Sequence, residues 1–540
     1  MLRRSASLSL LALVTSGVVL LSGCTSSPDG GDRDEEAVRT ATPGRAVTVL
    51  DQASPAARAL AASTTFFEHA PVVVLAPVDD VAARQEAVDR ADGWGVPVLL
   101  DETPGHADGA DTGEAGGAGP DPADETATAP ATASAPEGTP STGAPSTSDD
   151  ALVTELERLG AVTVATVGDV ALDGAAGLTV APASEVAQEE LPTQVPQGTA
   201  ARVLTTATES GGAAAATARA AGAEVSALAE GDADPRTAEG VQALAGAGDA
   251  PVVLIGADFA GASGLEGAVA SARTGVELPG GGQLVFDDRR YVALYGAPSS
   301  PVLGVLGEQG PEAAAQRAAQ LTSEYAGLTS EAVVPMMEII ATVAAGDAGP
   351  DGDYSNELPV DQLLPYVEAA EAAGQYVVID LQPGRTDFLT QAKRYEELLR
   401  RPGVGLALDP EWRLAPDQVH LRQIGGVDAA EVDAVSDWLA DLVRTEALPQ
   451  KMFVLHQFRA SMLRDRASLD VSHPKLATVV HVDGQGSQPD KQATWSFLHE
   501  DAPAGIHWGW KNFYDEDEPM LTPQQTMAHV SPVPDIVTYQ

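Results

Sequence analysis

Between Tyr291 and Gln540 the chain carries eight short apolar runs, YVALYG, AVVPMMEIIATV, YVVIDLQ, VGLALDPEW, MFVLHQF, ATVVHVDG, GIHWGW and DIVTYQ, most of them separated by stretches with helical periodicity. A strand that is apolar at nearly every position must be buried on both faces, and such strands alternating with amphipathic helices build a parallel sheet. Eight units within residues 289–540 predict a closed (β/α)8, or TIM, barrel. Barrel sites are assembled at the carboxyl ends of the strands. Those ends carry Asp380, Asp409, Glu411, His456, His481, Asp483, Trp510 and Lys511.

Upstream, the pattern predicts a separate α/β region over 46–275. AVTVLD, PVVVLAPV and VPVLLDE read as strands, with helices at PAARALAASTTFF and from Asp80 to Gly93. The pattern then stops. Residues 103–150 are almost entirely Gly, Ala, Pro, Ser, Thr, Asp and Glu, a composition that buries too little apolar surface to offset ordering, so an unstructured insertion is expected there. It resumes with ALVTELERLG and AVTVATVG, and a second unit runs from ARVLTTAT through PVVLIGA. The expected class is a Rossmann-like or flavodoxin-like α/β region followed by the barrel. No G-x-G-x-x-G or G-x-x-x-x-G-K-[ST] follows a strand, so no nucleotide is expected.

The first 23 residues, MLRRSASLSLLALVTSGVVLLSG, have the charged start, apolar middle and small-residue end of a secretory signal. The ending L-S-G-C resembles a bacterial lipobox. That resemblance implies acylation of Cys24, the only cysteine, and attachment to a membrane at its extracytoplasmic face. Residues 24–45 read as a flexible tether. With one cysteine no internal disulfide can form. The formal net charge of −47 disfavours nucleic acid as a partner, although a genome rich in Ala, Gly and Asp codons explains the acidity equally well.

The order Pro97-Val98-Leu99-Leu100, then Leu159-Gly160, then Val164 to Val167-Gly168 resembles the cell-wall-binding repeat 2 family, with 103–150 inserted in one connection. This resemblance implies a wall polymer as partner; a generic α/β domain without that role is the alternative. In the barrel, Asp409-Pro410-Glu411-Trp412 at the end of the fourth strand resembles the D-x-E ending of the chitinase-like glycoside hydrolases and of the family 25 muramidases. Two upstream aspartates of the chitinase-like pattern would fall on Val404 and Ala407, and the aspartate expected on the first strand of the muramidases is missing from YVALYG. The resemblance implies Glu411 as general acid with Asp409 assisting. Alternatively, Asp409 caps a turn and Glu411 pairs with Arg413 or Arg385.

His456 and His481, with Asp483, resemble the fifth- and sixth-strand positions of the metal-dependent amidohydrolases, but that family's first-strand H-x-H and eighth-strand Asp are absent. Histidines bonded across the mouth are the alternative, and no metal or cofactor is expected. Trp412, and Trp508 and Trp510 with Phe513 and Tyr514, offer flat faces for sugar rings, unless Trp508 and Trp510 pack in the core. Asp380, Gln382 and Arg385 stand at the end of the third strand, where Arg385 would meet a substrate carboxylate or pair with Asp380. Gln457 adjoins His456, and Lys511 adjoins Trp510. Together these predict a membrane-anchored protein that binds or hydrolyses cell-envelope glycan through the barrel. The rivals are a degenerate barrel that only binds glycan and a metal-dependent hydrolase.

Overall fold

The computed structural model of the chain describes residues 37–102, 147–170, 172, 177–187, 191, 200–298 and 300–540. The signal segment, Cys24 and residues 103–146 lie outside these.

All eight apolar runs form strands. Numbered within the barrel, they are β1 Arg289–Gly296, β2 Ala332–Ala344, β3 Tyr376–Leu381, β4 Val404–Leu408, β5 Lys451–Gln457, β6 Leu476–Val482, β7 His507–Asn512 and β8 Ile536–Tyr539. Each is parallel to its neighbours, and β8 pairs back onto β1 with Tyr291 opposite Ile536, which closes the barrel. A short strand, Ser355–Glu357, lies antiparallel on the end of β2.

The helices are α1 Pro311–Ser323, α2 Val360–Ala372, α3 Phe388–Arg394, which is followed by a single turn of helix at Glu396–Leu399, α4 Ala429–Thr445, α5 Gln488–His499 and α6 Pro523–His529. Between β5 and β6 the chain makes no α-helix, only two 3-10 turns, Ala460–Met462 and Arg466–Ser468, and the two-residue strand Leu463–Arg464, which pairs with Val427–Asp428. The strict strand–helix alternation is therefore broken at that connection.

Strand alternation sorts the side chains into two layers. Val292, Leu294, Val377, Ile379, Leu406, Leu408, Phe453 and Leu455 pack against the helices. Ala293, Met336, Val378, Ala407, Val454 and Val479 fill the interior. The interior core also takes in Leu278 and Val285, from the segment before β1, and Tyr291 donates its hydroxyl to the Val285 carbonyl at 2.9 Å. The barrel is thus plugged at its amino-terminal end by residues upstream of position 289, where the sequence pattern suggests that it begins.

The region before the barrel is built of two four-stranded parallel sheets. One has the order Val98–Asp101, Val72–Pro77, Thr163–Thr166, Thr179–Pro182; the other runs Val47–Leu50, Val252–Ile255, Arg202–Thr205, Glu224–Ala227. The strand that opens the region therefore does not join the unit that follows it, but pairs with Val252–Ile255 at the far end of the second unit. A single apolar cluster runs between the two sheets through the helices Pro55–Phe66 and Ala213–Ala220. The helix Thr147–Leu159 starts inside the stretch expected to be unstructured. The expected tether is also partly built in: Arg39–Thr40 pairs with Phe67–His69, and Val38 is buried.

This region docks on the amino-terminal end of the barrel. Ser271 Oγ donates to the Leu448 carbonyl at 2.8 Å, and Lys475 Nζ to the Gly267 carbonyl at 3.0 Å. Leu448 and Lys475 immediately precede β5 and β6, so the contact lies opposite the strand ends and leaves the barrel mouth uncovered. Among the described residues no helix is long and apolar enough to cross a membrane.

Candidate active site

The interior row that continues the apolar core toward the strand ends is polar on nearly every strand. It comprises Tyr295 of β1, Glu338 of β2, Asp380 of β3, Asp409 just beyond β4, His456 of β5, His481 of β6, Lys511 of β7 and Thr538 of β8, all buried. Burying ionisable groups in this number is costly unless each finds a partner.

His456 is the hub. Its Nε2 lies 2.8 Å from Glu338 Oε1 and 3.9 Å from Asp380 Oδ1, and its Nδ1 lies 3.1 Å from Asp483 Oδ2. Burial alone would lower its pKa, but Glu338, Asp380 and Asp483 outweigh burial and hold the ring protonated well above its ordinary range. Both its nitrogens then donate to carboxylates. His481 Nδ1 approaches His456 Nδ1 to 3.2 Å, and His481 Nε2 lies 3.1 Å from Thr538 Oγ1. Burial, the charged His456 and Lys511 keep His481 neutral, so its Nδ1 accepts and its Nε2 donates. Gly509 makes room for this ring, since a Cβ there would overlap it.

Ligating atoms of Glu338, His456 and His481 lie within 4.8 Å of one another, a set that could hold a cation. Glu338 and His481 meet opposite nitrogens of the His456 ring, however. The arrangement is that of a hydrogen-bonded chain. Next to it, Tyr295 donates its hydroxyl to Asp380 Oδ2 at 2.8 Å, and Lys511 Nζ lies 3.4 Å from the centre of the Tyr295 ring. Burial and Glu338 push the Asp380 carboxyl up to about 6, against the opposing pull of His456 and the Tyr295 hydroxyl.

Above this row the mouth opens into a cavity of about 360 Å³, whose lining includes Tyr295, Gln382, Asp409, Glu411, Trp412, Phe458, Asp483, Lys511 and Phe513. Asp409 caps the 3-10 turn Pro410–Trp412, its Oδ1 accepting from the Glu411 amide at 3.2 Å. That turn carries Glu411 to the cavity wall and Trp412 beside it. The proline in the motif thus ends the strand and starts the turn. Burial, followed by the charge of Asp483, raises Glu411 to about 7, while Lys511 and His456 oppose the shift. Burial drives Asp409 well above the usual carboxylate range, helped by Asp380, Asp483 and Glu411 against His456. In Asp483 the balance is reversed. Burial would raise its pKa, but the hydrogen bond from His456, together with Lys511 and His481, lowers it.

Six of the candidate site residues singled out in the sequence line this cavity, and Asp380, His456 and His481 stand beneath it. Three do not. Trp510 faces the helices, where it packs against Trp495 at 5.6 Å between ring centres and donates its Nε1 to Asn512 Oδ1. Gln457, one residue on from the inward His456, points to the outer layer and accepts from Arg466 Nη1 at 3.0 Å. Arg385 stacks over Tyr354 at 4.4 Å and donates to the Gln418 carbonyl, in a groove separate from the mouth, and does not pair with Asp380. Arg413 pairs with Glu431 rather than Glu411.

The sequence reading missed Glu338, Tyr295 and Phe458, whereas Phe513 of the aromatic cluster does line the cavity. Glu338 left a signal, as the one charged residue inside the apolar run AVVPMMEIIATV. No protein-family model matches the chain, and no curated protein matches it at a significant level.

Proposed function

We propose that the barrel mouth hydrolyses a glycosidic bond of a cell-envelope glycan, with Glu411 as the general acid. One observation carries this reading: a carboxyl group that holds its proton to about pH 7 lines a cavity walled by Trp412, Phe458 and Phe513. A general acid works best when its pKa lies near the working pH, and aromatic faces receive the C–H faces of sugar rings. In the reaction, Glu411 gives its proton to the glycosidic oxygen as the bond to the anomeric carbon breaks and the electron pair stays on that oxygen. Water adds to the anomeric carbon. Asp409 acts as a positioning residue by fixing the turn that carries Glu411. Gln382 and Lys511 supply polar contacts to sugar hydroxyls.

The lipobox-like Cys24 would hold the protein to the membrane, and the α/β region, docked away from the mouth, would face wall polymer without obstructing substrate. Neither role involves nucleic acid, which the charge of −47 would repel.

The test is turnover of peptidoglycan and of chitin oligosaccharides by the full chain. Glu411→Gln keeps the shape and removes the transferable proton, and turnover is expected to fall by roughly 10² to 10⁴-fold with binding retained. Loss of activity to a chelator together with indifference to Glu411→Gln would move the chemistry to Glu338, His456 and His481. Glycan binding without turnover under any condition would make the barrel a binding module.

A further inference from the structure

Hydrolysis at Glu411 needs a second carboxylate that stays ionised, reaches the cavity and has an oxygen free for water. Four acidic residues of the mouth can be compared on those terms. Glu338 is committed to His456 at 2.8 Å and does not line the cavity. Asp380 lies beneath the cavity, with one oxygen taken by the Tyr295 hydroxyl. Asp409 does line it, but spends Oδ1 on the Glu411 amide and is buried among like charges that favour its neutral form.

Glu516 also lines the cavity but is exposed to solvent, and among the four buried carboxylates Asp483 alone meets all three conditions. It follows β6 at the cavity wall, and its Oδ2 is anchored by His456 Nδ1 at 3.1 Å. Its Oδ1 is buried and makes no hydrogen bond within the protein. A buried carboxylate oxygen without a donor is expensive, and one in a residue that lines a ligand cavity is explained if a donor arrives with the substrate or the attacking water. The anchor also fixes direction, because the His456 hydrogen bond leaves the second oxygen to receive a proton.

Resting on the hydrolase reading, we propose that Asp483 is the general base of the reaction, sharing the cavity with the acid Glu411 and oriented by His456. The attacking water forms the new bond from its oxygen to the anomeric carbon and passes a proton to Asp483 Oδ1. The bond to the leaving oxygen breaks with its electron pair, and that oxygen takes the proton of Glu411. One water is consumed, and no electrons are gained or lost overall. Between turnovers the proton on Asp483 returns through solvent to Glu411. The two carboxyl groups are suited to these opposite tasks because their surroundings push them apart. His456 and Lys511 favour the charged form of Asp483, and that charge helps keep Glu411 protonated. His456 is a positioning residue in this scheme.

The experiment uses the full chain with Asp483→Asn and Asp483→Ala, assayed on chitin oligosaccharides and peptidoglycan, with 13C-NMR titration of labelled glutamate side chains. The expected result is a 10² to 10⁴-fold loss of turnover in Asp483→Asn, partial rescue of Asp483→Ala by azide, and inversion at the anomeric carbon in the wild-type product. The Glu411 titration should also move down from about 7 in Asp483→Asn, whether or not a substrate is turned over. Wild-type turnover that survives Asp483→Asn within tenfold would overturn the assignment and leave the hydrolase reading standing. Retained configuration with a sugar bound covalently to Asp483 would make it a nucleophile instead. An unmoved Glu411 titration would likewise overturn the inference. A wild type inert on both polymers would sink the hydrolase reading itself.

Discussion

Replacing Glu411 with glutamine should stabilise the protein at pH 8 while leaving its stability at pH 4 unchanged. The carboxyl has an ordinary value of 4.5 and is raised to about 7 in the fold. Between those values the folded state holds a proton that the unfolded state has released. Stability contributed through this group is therefore intact below about pH 4.5, falls as pH rises toward 7, and stays lost above it. At about 1.4 kcal/mol for each tenfold change in proton affinity, the loss is bounded at about 3.4 kcal/mol. Glu411 is only partly buried, and screening by solvent reduces this to roughly 1–3 kcal/mol. Glutamine carries no titrating group and does not suffer the loss. The assay is urea unfolding of both proteins from pH 4 to 8.5, followed by tryptophan fluorescence and fitted to the barrel transition. The difference between them should open across the window from 4.5 to 7. Curves that run parallel over the whole range, or a variant less stable at pH 8, would show that Glu411 is an ordinary exposed carboxylate and would remove the basis for its role as acid.

Three further outcomes follow from packing. A fragment of residues 289–540 should be less stable than one of residues 276–540 by about 3–6 kcal/mol, since each fully buried Leu or Val side chain is worth about 1.5–3 kcal/mol and the shorter fragment loses Leu278 and Val285; equal urea midpoints would show that the plug is dispensable. Trp510→Ala should cost about 3–5 kcal/mol in unfolding free energy and leave affinity for chitin oligosaccharides unchanged, because the ring packs on Trp495 behind the sheet; weaker glycan binding in a protein of normal stability would put the ring in the mouth after all. Tyr295→Phe removes the hydroxyl that donates to Asp380 Oδ2, in a carboxylate whose Oδ1 already has no hydrogen bond, and should cost roughly 1–3 kcal/mol by denaturant titration; an unchanged midpoint would mean that Asp380 carries its own proton and needs no donor.

The barrel was legible in the sequence because its cause is local. A strand buried on both faces must be apolar throughout, and all eight runs that obey this became strands of one closed sheet. The sequence also marked the strand ends at which Asp409, Glu411, His456 and Asp483 gather. Alternation separates neighbours into opposite faces, yet it does not say which face turns inward, so His456 and Gln457, or Lys511 and Trp510, looked equally eligible. Closure of the barrel decided this, turning His456 and Lys511 to the axis and their neighbours to the helices. Pairings between distant segments were out of reach for the same reason. Val47–Leu50 joins Val252–Ile255, Leu278 plugs the barrel floor, and Glu338 meets His456 across the interior, each through contacts that no stretch of sequence records on its own. The carboxylates of the mouth have their different protonation states for that reason as well, because burial and neighbouring charge are properties of the assembled fold.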